Sequence, residues 1–111
     1  MGISTHILDT TRGRPAAGVT VSLEQHSSDG SWRRVGEGVT NEDGRVKPLL
    51  DVIPGAGVYR IRFEVGPYFK DLGVEAFYPA VTIDFQVRSP KEHYHVPLLL
   101  NPYGFSTYRG S

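Results

Sequence analysis

Residues 58–65 read VYRIRFEV, and how that octet is read decides the fold. Tyr59, Ile61, Phe63 and Val65 fall on one side of an extended chain, with Arg60, Arg62 and Glu64 on the other. A helix would scatter these side chains around its circumference. A strand sorts them onto two faces because its side-chain period is two, which leaves one face buried and one wet. Residues 81–88, VTIDFQVR, repeat the pattern, setting Val81, Ile83, Phe85 and Val87 against Thr82, Asp84, Gln86 and Arg88. Residues 18–25, GVTVSLEQ, alternate Val19, Val21 and Leu23 with Thr20, Ser22 and Glu24. SSDGS at 27–31 and NEDGR at 41–45 each carry Asp-Gly, a hairpin signal.

Working outward from these segments, eight strands are expected, over roughly 3–9, 19–25, 31–39, 44–47, 58–65, 81–88, 93–100 and 104–109. One stretch breaks the rhythm. YFKDLGVEAFYP, residues 68–79, predicts a short helix near 70–77 ended by Pro79, with Gly73 as a weak point inside it. Many short strands with turns at this spacing define an all-β protein, a sandwich or a barrel. No linker, repeat or low-complexity tract interrupts residues 1–111, so one domain is expected.

Composition excludes several functions. Lys plus Arg is 12 and Asp plus Glu is 12, a formal charge of zero that favours neither nucleic acid nor an anionic membrane as partner. The chain has no cysteine, which removes disulfides, thiolate metal sites and thiol catalysis. The start, MGISTHILD, has no basic segment followed by an apolar run, so no signal peptide is expected in this chain and the expected compartment is the cytoplasm.

Strand register assigns the polar side chains to faces. In ISTHILD, Ile3 and Ile7 share the core face, so His6 points away from it. In HYHVPLLL, Tyr94, Val96, Leu98 and Leu100 face the core, so His93 and His95 point away. Val46 takes the core side of its strand and Arg45 the other. In GFSTY, Phe105 and Thr107 are expected inward, with Ser106 and Tyr108 outward. His26 lies beside a turn and is expected on the surface. Were their strands neighbours, His6, Arg45, His95 and Tyr108 would line the outer face of one sheet. Leu8 and Leu99 would share that face, an unusual mixture to leave in water and one suited to cover by a second subunit. A merely solvated face with incidental histidines fits the alternation equally well.

Such a cluster has a definite chemistry. Imidazole titrates near neutrality and can take a proton from water without a metal. A guanidinium offers a planar fork to a flat, oxygen-rich ligand and stabilises charge built up on a carbonyl oxygen. Hydrolysis of a carbonyl compound is therefore the reaction the set could perform. His-Tyr-His plus a third histidine has zinc-ligand character, but the pattern brings no carboxylate or further histidine to it, so no metal is expected. Neither a Gly-x-Ser-x-Gly elbow nor a phosphate loop is present.

Three blocks carry a family resemblance: STHILDTTRGRPAAGVTVSLE at 4–24, NEDGRV at 41–46 and HYHVPLLLNPYGFSTYRGS at 93–111. Together they resemble the transthyretin-like family over essentially the whole chain, and the terminal YRGS resembles its hydrolase branch rather than its hormone carriers. The resemblance implies a β-sandwich of two four-stranded sheets with one short helix, in which the first, fourth, seventh and eighth strands form one sheet. It further implies a homotetramer, built as a dimer of dimers with active clefts where the dimers meet. The implied activity is cofactor-free hydrolysis of 5-hydroxyisourate to 2-oxo-4-hydroxy-4-carboxy-5-ureidoimidazoline in urate breakdown. The implied catalytic residues are His6, Arg45 and His95. Substrate contacts fall to His6, Arg45, Tyr108 and Ser111, with Arg109 and Ser111 near the cleft rim. Asn101 and Phe105 depart from the usual family pattern, Phe105 by lacking a tyrosine hydroxyl on its expected inward face. The rival reading is a non-enzymatic carrier of a small aromatic ligand in the same cleft.

Overall fold

A computed structural model describes residues 2–111, the side chain of Lys47 excepted. Its strands are β1 (Ile3–Asp9), β2 (Arg14–Pro15), β3 (Thr20–His26), β4 (Trp32–Val39), β5 (Arg45–Leu50), β6 (Gly57–Phe63), β7 (Val81–Val87), β8 (Tyr94–Asn101) and β9 (Gly104–Thr107). A helix, α1 (Val65–Asp71), lies between β6 and β7. The strands form two sheets. One has the antiparallel order β4-β3-β6-β7. In the other, β8 pairs parallel to β1, β9 pairs antiparallel to β8, and β5 shares the opposite flank of β1 with the two-residue β2. These are the two expected four-stranded sheets of a β-sandwich, with β2 added.

The alternation places the core. Ile3, Ile7, Val21, Leu23, Tyr59, Ile61, Phe63 and Leu98 are fully enclosed between the sheets. The outer face of the β4-β3-β6-β7 sheet is charged, with Arg60 gripping Asp84 through two hydrogen bonds of 2.7 and 3.1 Å across β6 and β7. Exposed ion pairs of this kind add little stability, so this face is a solvated surface. His26 is exposed at the end of β3 and stacks on Trp32.

Two local expectations are corrected. The helix spans Val65–Asp71 rather than 70–77, so the octet leaves the sheet after Phe63 and buries Val65 from the helix instead. Pro67 is tolerated in the first turn of this helix, where its missing N–H would have no partner. Gly73 lies beyond the helix at φ +71, where the Gly73 and Val74 N–H groups bond Lys70 O and Phe69 O at 3.0 and 2.9 Å and close the last turn. The final strand is shorter than expected, ending at Thr107, and its inward face is not buried. Phe105 is 39% exposed and meets Tyr78 edge-on at 5.5 Å, because β9 is an edge strand flanked by the loop after α1.

The turn before β5 sets where Arg45 emerges. Asn41 Oδ1 accepts from the Asp43 and Arg45 N–H groups at 2.9 and 3.1 Å, and the Gly44 carbonyl accepts from Ile7 N–H at 2.9 Å. Gly44 has φ +73, and a Cβ there would lie 2.5 Å from the Ile7 carbonyl oxygen. Gly44→Ala is therefore expected to cost at least about 1–2 kcal/mol in urea unfolding, the penalty of a left-handed alanine, with the steric clash added. Unchanged stability would show that the turn does not hold this shape.

Candidate active site

Pairing brings the expected residues onto one outer face. His6 and Arg45 are direct partners across the antiparallel β1–β5 pair. Ser4 and His95 are direct partners across the parallel β1–β8 pair. Directly paired residues share a face, so Arg45, His6, Ser4 and His95 follow one another across three adjacent strands. Beside them opens a cleft of about 490 Å³ whose lining includes Ser4, Arg45, Asp51, His93, His95 and Ser111. His6 is not among the lining residues and stands beside Arg45 as its cross-strand partner.

Ser111 reaches the cleft because the chain after β9 is tied down. Arg109 lays its guanidinium over the Tyr94 ring, 4.5 Å from the centroid, and its Nη2 donates to Glu92 Oε1 at 3.2 Å and His93 O at 3.3 Å. Tyr94 is itself fixed, its phenol oxygen accepting the Arg88 and Ser89 N–H groups at 3.0 Å each. Gly110 N–H then donates to His95 O at 2.8 Å, and a Cβ on Gly110 would lie 2.6 Å from His95 Cδ2. The absence of a side chain at Gly110 is what lets the backbone pass against the imidazole.

Tyr108 does not line this cleft within the protomer. It is 59% exposed and faces a second groove of about 290 Å³, lined also by Ile83, Phe85, Tyr94, His95 and Val96 along the open edge between β7 and the residues after β9. The early end of β9 breaks the alternation that pointed Tyr108 at the cluster.

Electrostatics favours neutral imidazoles. The pKa of His6 is depressed below 6.5, chiefly by burial and then by the Arg45 cation, with Asp43 working against the shift. His95 is depressed in the same way, by burial first, then by Arg45, His6 and His93. Both rings are thus in the form that accepts a proton at neutral pH. Among the described residues, no group of three or more His, Asp or Glu side chains is placed to hold a metal ion. No helix among them is long and apolar enough to cross a membrane.

Sequence reasoning overlooked Ser4, whose hydroxyl oxygen lies 2.8 Å from His95 Nδ1 and 3.0 Å from His93 Nε2. The signal was present: positions 4 and 6 have the same parity in β1, so Ser4 had to share the face of His6.

A two-sheet sandwich presenting unprotonated imidazoles and a guanidinium in an open cleft has the make-up of a small hydrolase. The profile of the HIUase/Transthyretin family matches residues 3–110, and the chain belongs to that family. It is 46% identical over 110 residues to the 5-hydroxyisourate hydrolase of Salmonella dublin, an alignment covering 98% of this chain and 80% of that one. Among solved structures, the 5-hydroxyisourate hydrolase of Klebsiella pneumoniae superimposes with a TM-score of 0.87 at 39% identity, covering 100% of both chains. Sea bream transthyretin in complex with thyroxine superimposes at 0.91 with 31% identity, over 97% of this chain and 93% of that one. The chain is an enzyme of the hydrolase side of the family.

Proposed function

We propose that the chain hydrolyses 5-hydroxyisourate in urate degradation, giving 2-oxo-4-hydroxy-4-carboxy-5-ureidoimidazoline. The observation that carries this reading is that Arg45 and His95 line one open cleft with His6 paired to Arg45 on the same sheet face, both imidazoles held toward the neutral form. One imidazole takes a proton from water as the water oxygen bonds to the ring carbonyl carbon. Arg45 stabilises the oxyanion that forms there. The ring C–N bond then breaks, the proton passes to the departing nitrogen, and the product carries a new carboxylate. Ser111 and the outer-face strands contact the substrate. The working unit is a homotetramer, a dimer of dimers with the clefts where the dimers face each other. Because Tyr108 occupies a different groove of its own protomer, its substrate contact comes from a neighbouring subunit.

The test is a rapid spectrophotometric assay on freshly generated 5-hydroxyisourate with and without the protein, since this compound also decays unaided. Acceleration over the enzyme-free blank is the expected result. Tight binding of planar aromatics with no acceleration would establish the carrier reading instead.

The histidine shifts give a pH prediction. The active form is the unprotonated base, and both shifts are downward, so kcat/KM should hold its plateau as pH falls through 6.5 and decline below it. Because the rings influence one another, the inflection belongs to the pair rather than to one residue. A decline centred above 6.5 in the pH–rate profile would contradict the assignment.

A further inference from the structure

The hydroxyl of Ser4 is placed between two imidazoles, 2.8 Å from Nδ1 of His95 and 3.0 Å from Nε2 of His93. A serine hydroxyl has one proton and two lone pairs, and accepting from both rings would leave that proton with no partner among the described residues, so bonding all three groups within the protein means donating to one ring and accepting from the other. Two arrangements satisfy this. In the first, His95 Nδ1–H donates to Ser4 Oγ and the hydroxyl donates to His93 Nε2, leaving His95 Nε2 with a bare lone pair. In the second, every donor reverses, and His95 carries its proton on Nε2. Left to itself, a histidine side chain favours the Nε2–H form. In that form, the nitrogen not engaged by Ser4 can donate a hydrogen bond but cannot take a proton from water.

We infer that Ser4 is a positioning residue that sets the tautomer of His95, accepting its Nδ1–H and passing its own hydroxyl proton to His93. The inference rests on the proposed role of His95 as a base, because only the first arrangement leaves a basic nitrogen clear of Ser4. The fold holds the ring in this contact. Ser4 and His95 are paired directly across β1 and β8, and the Gly110 backbone packs against the Cδ2 edge of the imidazole. His93, the proton acceptor at the far end, is fixed through its carbonyl, which accepts from Arg109 Nη2 at 3.3 Å. A hydrogen bond to one ring nitrogen decides which form the other presents, so a hydroxyl outside the reaction can govern the base inside it.

The experiment is nitrogen NMR on the intact protein labelled in its histidine rings, read together with kinetics. In the unaltered protein, His95 is expected with Nδ1 protonated and Nε2 bare. Ser4→Ala should move His95 toward the Nε2–H form and lower kcat by roughly 10- to 100-fold with KM little changed, less than the loss seen when a triad orienting carboxylate is removed. Ser4→Thr keeps a hydroxyl on a residue suited to a strand and should restore both tautomer and rate. His93→Phe leaves Ser4 no ring acceptor, frees its proton for His95 Nδ1, and should shift His95 as Ser4→Ala does. Nε2-protonated His95 in the unaltered protein overturns the inference whether or not the variants fold, and so does a folded Ser4→Ala protein with tautomer and kcat unchanged. The expected tautomers without any acceleration of 5-hydroxyisourate hydrolysis would support the inference and reject the proposed substrate. Fast hydrolysis with an Nε2–H ring would do the reverse.

Discussion

His95→Ala is expected to cut turnover of 5-hydroxyisourate by about 10²–10⁴-fold, the usual cost of removing a general base. The ring is half-buried, points away from the core and is kept in its unprotonated form at neutral pH by burial and Arg45, so its loss takes away an unoccupied proton acceptor. The fold should tolerate the change, because the core side chains of β8, Tyr94, Val96, Leu98 and Leu100, lie on the other face. The comparison is kcat of a variant whose circular dichroism and thermal unfolding match the parent. A properly folded His95→Ala protein turning over at close to the parental rate would remove His95 from the mechanism.

Arg45→Ala should lower kcat by about 10²–10³-fold, as expected for loss of an oxyanion donor. Its backbone is held by Asn41 whatever the side chain, so the turn should persist and the defect should be local. The kinetic signature separates two contributions: an effect on kcat marks stabilisation of the transition state, and an effect on KM alone marks uniform binding. Lysine should rescue poorly, since a point charge does not reproduce the two-pronged contact of a guanidinium. The result that refutes the role is a rise in KM with kcat intact.

The sandwich was readable because period-two alternation is a direct consequence of strand geometry, and Tyr59, Ile61, Phe63, Ile3, Ile7 and Leu98 obey it in the folded chain. The same rule sent His6, Arg45 and His95 outward. Which strands are neighbours is a different matter. The parallel pairing of β1 with β8 joins segments some 91 positions apart, and no local pattern encodes a pairing at that range; here it came from family resemblance. Local rules also failed where two of them competed. Gly66 and Pro67 sit in the first turn of α1, ahead of the stretch expected to be helical, and Gly73 read as an interior weakness yet closes the helix. Tyr108 is exposed as alternation indicates but faces a different groove of its own protomer, because the strand ends at Thr107 and alternation no longer governs the residues beyond it. Ser4 was legible by parity but carried no chemistry of its own until the two histidines were seen on either side of it.

That long-range pairing has a consequence for biosynthesis. As the polypeptide leaves the ribosome, β1 and β5 can join early, but the other flank of β1 stays bare until residues 94–101 appear. During that interval an apolar strand with unsatisfied backbone groups is open to wrong partners. Conditions that slow elongation after residue 90 should therefore raise the aggregated fraction of newly made chains, whatever the stability of the finished protein.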